Sequence, residues 1–407
     1  MGSVVYKVGG PSVATVERIQ EVAQRIIKER KQGLDVVVVC SAMGRTHKEL
    51  INMARELSEE PAKREVDLLL STSSQLTSAL FAIALQEAGQ PAVAWTGEQA
   101  GIVTDAIHRQ ARIERVETER YFNAFEQGQI VVVAGMQGAD STGEITTLGK
   151  GGAETTAVAI GAAIHAERVE IYTNVDGIYT GDPSFIENAR KLKELSYDEM
   201  LELAHLGSHI VHPRAVELAK KYEMPVIVRS SLVEDDGTLL KEEAEMEKNI
   251  IVRGVAFEAD IIRLTVGYDS YEEASLADIF TTLAEHRINV DIIVQAVIDE
   301  VRPTISFSIA KEEFADAIRV LETSKVSLGF SFADFEVGLA KVSIVGSGMV
   351  SNPGVAARMF DRLRRERIQV KMVSTSEIKV SVVVPQDDMI RAANALHDEF
   401  NLADSVI

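Results

Sequence analysis

Runs of successive apolar residues alternate, through the first part of the chain, with stretches whose apolar positions recur at helical spacing. VVYKV (Val4–Val8), DVVVV (Asp35–Val39), PAVAW (Pro91–Trp95), QIVVVAGM (Gln129–Met136), VEIYTNV (Val169–Val175) and PVIVRSS (Pro225–Ser231) read as strands. DVVVV, apolar at every position after the first, is the pattern of a parallel strand covered on both faces. Helical spacing marks SVATVERIQEVAQRIIKER and a long region from about His47 to Ala88. This alternation predicts a doubly wound, mostly parallel sheet. It ends near Asp235-Asp236-Gly237, before the acidic linker KEEAEMEKN.

The remainder repeats itself. A shift of eighty positions lays Ala277, Phe280, Leu283, Arg287, Ile288 and Val290 on Ala357, Phe360, Leu363, Arg367, Ile368 and Val370. Each copy reads strand, helix, strand and further strands, which implies a duplicated unit. The loop GSGMVSNPGVAARMF in the second copy opens on a helix N-terminus suited to a carboxylate, whereas its counterpart in the first is acidic.

At 407 residues the chain holds two or three domains, and a formal charge of −20 speaks against a nucleic-acid partner. Cys40, the single cysteine, ends an apolar run and reads as a buried, inert thiol. No signal peptide is evident, and no stretch is expected to approach the length of a membrane span, so a cytoplasmic protein is expected.

Chemistry concentrates between Thr146 and Asp182, where the turn Gly149, Gly151, Gly152 leads into a small-residue helix expected over about Thr155–Ala163. The free amides of such a helix start can receive an anion. A strand follows, with Tyr179 and Asp182 beyond its carboxyl end, where open α/β sheets bind ligands. Lys7, on a strand otherwise made of valines and a tyrosine, needs an anionic partner if it is buried, and Gly9-Gly10 after it allows close backbone approach. Hydroxyls in STSSQ (Ser71–Gln75) read as helix caps rather than pocket lining. His209 and His212 read as hydrogen-bonding residues rather than metal ligands, and no metal site is expected.

These motifs resemble the aspartate kinase family. KVGGPSV is similar to KFGGTSV, CSAMG to VSAMG, LGKGGAETTAVA to LGRGGSDTTAVA, and IYTNVDGIYTGDP to IYTDVDGVYTTDP. SYDEMLELAHLGSHIVHPRAVELAKKYEMPVIVRSS and KVSIVGSGMVSNPGVAARMF follow the family almost word for word. The likeness spans essentially the whole chain and is nearest to the Gram-positive, lysine-sensitive type. It implies an α/β protein with an amino-acid kinase fold, an αβα sandwich on a mostly parallel sheet, followed by two ferredoxin-like βαββαβ ACT domains. The implied boundaries are 1–235 for the kinase domain, 236–258 for a linker, and 259–335 and 336–407 for the ACT domains, with Met246 in the linker a conceivable start for a separate tail-only chain.

The implied reaction is phosphorylation of the side-chain carboxylate of L-aspartate by ATP with Mg2+, the first step toward lysine, methionine and threonine. By motif, Lys7 and Glu154 would be catalytic, and Lys7, Val8, Gly9, Gly10, Ser41, Thr173, Asn174, Tyr179 and Asp182 would meet the nucleotide. His47, Lys48, Glu49, Ser74, Phe125, Glu126, Lys150, Gly151, Gly152 and Ala153 fall at substrate positions. An amino-acid effector, lysine or threonine, would meet Asn289, Val290, Asp291, Gln295, Ser376 and Glu377, and the ACT domains would pair chains into a homo-oligomer.

The chain departs from the family pattern at several of these positions. A threonine becomes Pro11, a Gly-Glu pair becomes Ser73-Ser74, an arginine becomes Lys150, a serine becomes Ala153, and aspartates become Glu154 and Asn174. His47-Lys48 replaces Thr-Asp, and Ala296 replaces an asparagine. Two alternative readings follow: a regulatory subunit with little activity of its own, and a kinase for another acid.

Overall fold

The computed structural model describes residues 2–205, 210–242, 251–270, 275–298 and 302–404. His209, Met246 and most of the acidic linker lie outside the described residues. Two compact units are present, one of residues 1–178 with 191–246 and the other of 179–190 with 247–407.

The first unit runs β1 (Ser3–Val8), α1 (Val16–Arg30), β2 (Asp35–Cys40), α2 (Thr46–Leu57), α3 (Lys63–Glu87) and β3 (Ala92–Trp95). It continues through β4 (Ile102–Thr104), β5 (Ile113–Val116), α4 (Glu119–Glu126), β6 (Ile130–Ala134), β7 (Gln137–Ala139), β8 (Ile145–Thr147) and α5 (Gly152–Ala163). Last come β9 (Arg168–Thr173), β10 (Glu194–Ser196), α6 (Tyr197–His205), α7 (Pro213–Lys221), β11 (Val226–Ser230) and β12 (Thr238–Lys241). Eight strands form the main sheet in the order β10-β12-β11-β9-β1-β2-β6-β3, and β5-β4-β7-β8 form a smaller one. The central pairs are parallel, as the continuous apolar runs require. At one side β12 turns back antiparallel on β11.

Alternation along β1 decides what each helix layer meets. Val4, Tyr6 and Val8 join a core with Ile19, Val22 and Ile26 of α1 and Phe81 and Leu85 of α3. Val5 and Lys7 point the other way, and Val5 meets Gly161 of α5. Cys40 is buried, and burial pushes its thiol pKa well up, as expected of an inert residue.

Two expectations are corrected on α3. By length and composition this 25-residue helix is long and apolar enough to cross a membrane, contrary to the sequence reading. It carries a fully buried Asp67 and packs on α1, β3, β6 and β8. The STSSQ hydroxyls do not cap it either, because they lie in its interior. Ser71, Thr72 and Ser73 donate to the carbonyls of Leu68, Leu69 and Leu70 at 2.8, 2.6 and 2.6 Å. Back-bonding of this kind satisfies hydroxyls inside a helix without ending it.

The second unit contains β13 (Gly254–Gly267), α8 (Leu276–Glu285), β14 (Ile293–Ile298), β15 (Arg302–Ala310), α9 (Phe314–Leu328) and β16 (Phe332–Val345). It ends with α10 (Val355–Arg365), β17 (Met372–Thr375), β18 (Lys379–Pro385) and α11 (Met389–Glu399). Both repeats share one sheet, ordered β14-β15-β13-β16-β18-β17. β13 and β16, 14 residues each, pair antiparallel through its middle with a register shift near Ile261. Gly254–Glu258 pair with Lys341–Val345, so the chain before the first repeat completes the sheet of the second. The duplication shows in the backbone: Leu283 and Leu363 are both fully buried, and Arg287 and Arg367 both close a helix in the left-handed region, φ 61° and 58°.

Residues 179–190, inside the stretch expected to form the kinase domain, are built into this second unit. Val255 donates its amide to the Thr180 carbonyl at 2.8 Å, and Ile186 packs with Val252 and Val255. Phe185 stacks edge-on against Phe257, and Asn394 of α11 donates to the Phe185 carbonyl at 3.1 Å.

Candidate active site

Lys7 ends its reach at the first turn of α5, where its Nζ lies 3.0 Å from Glu154 Oε1 with the lysine only 8% exposed. The anionic partner that burial of this lysine demanded is therefore Glu154. Its other oxygen accepts the backbone N–H of His212 at 2.7 Å. One carboxylate thus joins the end of β1, the start of α5 and the start of α7. His212 caps α7 in turn, its Nδ1 accepting the Arg214 amide at 3.3 Å, which agrees with a hydrogen-bonding histidine. Arg214 reaches back to the carbonyls of Leu148 and Ala111 at 2.6 and 2.9 Å, holding the glycine-rich turn from outside.

That turn is tighter than its sequence suggested. α5 begins at Gly152, three residues before the expected start, because Gly151 adopts φ 71° as the cap and Thr155 bonds back to its carbonyl at 3.0 Å. A Cβ at Gly151 would stand 2.1 Å from His212 Cγ, so only glycine fits there. Lys150, exposed on the turn, makes no ion pair among the described residues, and its charge falls on His212. Burial first, then Arg214 and Lys150, hold the His212 pKa below its ordinary value against the opposing pull of Glu154.

At the end of β1, Gly9 donates to the Tyr172 carbonyl at 3.2 Å, and a Cβ on Gly10 would come within 3.2 Å of the Ala42 carbonyl. Pro11 takes the first turn of a short 3-10 helix, Gly10–Val13, a position that needs no amide donor within the helix. Ser41 donates its amide to Val8, whose side chain is core. At the end of β9, Thr173 donates its hydroxyl to Asn174 Oδ1 at 3.0 Å. Lys7, Gly9, Gly10, Ser41, Thr173 and Asn174 therefore gather at the carboxyl ends of the adjacent strands β2, β1 and β9. Tyr179 and Asp182 belong to the second unit, where Asp182 accepts the Ser184 amide at 2.8 Å.

Among the positions expected to meet substrate, Ala153 lies against Gly135. Ser74 is buried and donates to the Gly135 carbonyl at 2.9 Å while accepting from Gln137 Nε2 at 2.7 Å. Gln137 also accepts from Gln75 at 3.0 Å, so hydroxyls and amides satisfy one another around Ser74. His47, half-buried in the first turn of α2, has its pKa lowered by burial and by Arg109, while Lys48 and Glu49 beside it are exposed. Phe125 and Glu126 end α4, and no described hydrogen bond or ion pair joins them to the Lys7 cluster.

Sequence reasoning missed Asp67. Wholly buried in α3, it accepts from His108 Nδ1 and the Arg109 amide, both at 3.0 Å, from the Thr147 amide at 3.1 Å and from the Thr147 hydroxyl at 2.5 Å. An acid set among leucines in an apolar helix was the available signal. Its bonds fix the loop after β4 and the strand that enters the glycine-rich turn.

Among the described residues no group of three or more histidine, cysteine or acidic side chains could hold a metal ion. The cations and amides gathered here can neutralise a phosphoryl group and align a carboxylate with it.

The model of the amino acid kinase family matches residues 2–230, and that of the ACT domain matches 342–400. An aspartokinase of Bacillus sp. (strain MGA3) is 54% identical over 407 residues, covering 100% of this chain and 99% of that protein. Aspartokinase 2 of Bacillus subtilis (strain 168) is 52% identical over 99% of this chain and 98% of its own length. Among solved structures, E. coli aspartokinase III in complex with aspartate and ADP (R-state) aligns with a TM-score of 0.81 at 24% identity, covering 98% of this chain and 99% of that one.

Proposed function

The chain belongs to the aspartate kinases, an amino acid kinase unit joined to ACT domains, and on that premise we propose how its residues transfer the γ-phosphoryl group of ATP to the side-chain carboxylate of L-aspartate. The products are 4-phospho-L-aspartate and ADP. The observation that carries the reading is the Lys7–Glu154–His212 junction at the N-terminus of α5. It holds an ammonium at the carboxyl ends of the strands beside free helix amides, where negative charge is favoured. Lys7 neutralises the phosphoryl group in transit, Gly9 and Gly10 let backbone approach it, and the glycine-rich turn with Lys150 holds the acid. An aspartate oxygen forms the new bond to phosphorus as the bond to ADP breaks, so positioning and charge supply most of the rate. Magnesium would come with ATP and would offset phosphate charge, since no cluster of acidic, histidine or cysteine side chains among the described residues could hold the ion alone. Ser41, Thr173 and Asn174 serve the nucleotide.

The regulatory-subunit and altered-acid readings draw no support from the relatives. Regulation belongs to the second unit, with an amino acid, lysine or threonine, as effector near Asn289–Asp291, Gln295, Ser376 and Glu377. Asp291 is already engaged there, 2.5 Å from the buried Lys341 Nζ, which also meets Glu258 at 2.9 Å. We place the protein in the cytoplasm, with its substrates.

The test is ADP release by the purified chain with MgATP, with and without L-aspartate. Aspartate-dependent release is the expected result. ATP binding by calorimetry without aspartate-dependent release would overturn the reading and favour the regulatory subunit.

A further inference from the structure

Eight residues other than glycine adopt a positive φ among the described residues. Five of them, His165, Glu223, Arg287, Arg367 and Asn401, stand just past the ends of α5, α7, α8, α10 and α11, where a left-handed residue closes the last helical carbonyls. Asp260 falls at the register shift of β13. Arg109, φ 74°, and Met136, φ 70°, have neither excuse, and both border the glycine-rich turn. The Met136 carbonyl accepts the Leu148 amide at 2.9 Å, and the Arg109 carbonyl would lie 2.8 Å from a Cβ at Gly149.

A left-handed arginine is unfavourable unless its surroundings impose it, and residues so held cluster at functional sites. The imposing group here is Asp67, whose buried Oδ2 accepts the Arg109 amide and the neighbouring His108 ring at 3.0 Å each. The Arg109 side chain is half-buried, yet its guanidinium has no hydrogen bond or ion pair among the described residues. In a chain with 62 acidic residues against 42 basic ones, an arginine left unpaired in that setting stands out. Its charge does reach His47, in the first turn of α2, whose pKa burial and then Arg109 hold below the ordinary histidine value. A planar fork that is unpaired among the described residues, carried on a backbone held beside the glycine-rich turn, is suited to a carboxylate in a way that the point charge of Lys150 is not.

We propose that Arg109 is a specificity-determining residue: its guanidinium receives the carboxylate of the acid substrate that is not phosphorylated. The inference rests on the aspartate kinase reading and assigns within it a cation outside every motif that identified the family.

Arg109→Gly tests it, since glycine accepts a positive φ freely and the loop keeps its shape. The expected result is a KM for aspartate raised about tenfold or more, with kcat and the KM for ATP changed less than about twofold. Arg109→Lys restores part of the loss, because it keeps the charge and loses the fork. An unchanged aspartate KM in folded Arg109→Gly overturns the proposal, as does an equal rise in both KM values. Calorimetric titration of both proteins with L-aspartate separates this from the parent reading. Wild-type binding that weakens about tenfold in Arg109→Gly supports the site even without turnover, which would remove only the kinase assignment. Equal affinities, or no binding by the wild type, overturn the site itself.

Discussion

Lys7 Nζ stands 3.0 Å from Glu154 Oε1, across 147 positions of sequence, and the pair is largely withdrawn from solvent. A buried charge left without its partner is expensive, whereas the intact pair roughly balances its own desolvation. Glu154→Ala should therefore lower unfolding stability by about 3 kcal/mol. Glu154→Gln should cost less, since its amide oxygen still accepts the His212 N–H. Urea denaturation of the three proteins gives the comparison, and equal midpoints for wild type and Glu154→Ala would remove the structural role.

Asp67 satisfies four donors from inside an apolar helix. Asp67→Ala strands the buried Thr147 amide and takes the acceptor from the half-buried Arg109 amide, at a cost of about 3 kcal/mol or more. It also frees the backbone of Arg109. The expected signature is a lowered urea midpoint together with a raised KM for aspartate. A variant with altered stability and unaltered KM would mean that Asp67 supports the fold alone.

His397 of α11 places Nε2 2.9 Å from Thr180 Oγ1, while its Nδ1, in a residue only 1% exposed, has no hydrogen-bond partner among the described residues. Burial first, and Arg190 with it, lower its pKa, and Asp398 opposes them. The folded state thus binds fewer protons than the unfolded one between its depressed pKa and about pH 6.5, the ordinary histidine value. Stability from this group is complete above that pH and is lost as pH falls through the depressed folded value. Its slope cannot exceed about 1.4 kcal/mol per pH unit for one proton. His47 and His212, shifted the same way, add to the trend. His397→Gln should flatten the decline between about pH 6.5 and 5. Identical slopes in urea titrations across that range would count against it.

β14 closes one edge of the six-stranded sheet and leaves Ile293 and Val294 exposed, on opposite faces of the strand. An apolar, unpaired edge invites pairing with another chain. Light scattering should find a dimer, and Val294→Lys should shift it toward monomer while changing stability of the unit by less than about 1 kcal/mol. A wild-type monomer at working concentration would exclude pairing through this edge.

Arg109→Gly offers a stability reading beside its kinetic one. Relief of the left-handed backbone and the added entropy of glycine in the unfolded chain oppose each other, so the variant should stay within about 1 kcal/mol of wild type in urea. A larger loss would mean that the side chain packs rather than binds.

The sequence by itself determined the parallel strands, since β2 and β6 are apolar at nearly every position and only a doubly covered strand tolerates that. It determined the duplication, down to Leu283 and Leu363, and the need of Lys7 for an anion. These follow from patterns local to a few residues or repeated at a fixed interval. Only the tertiary structure decided that the anion is Glu154, that the Ser71–Ser74 hydroxyls turn back into α3, and that residues 179–190 join the second unit. It alone showed Asp67 holding Arg109 in a left-handed turn. Hydrogen bonds and ion pairs between residues far apart in sequence leave no period to read, because their geometry exists only once the sheet has brought its strands together.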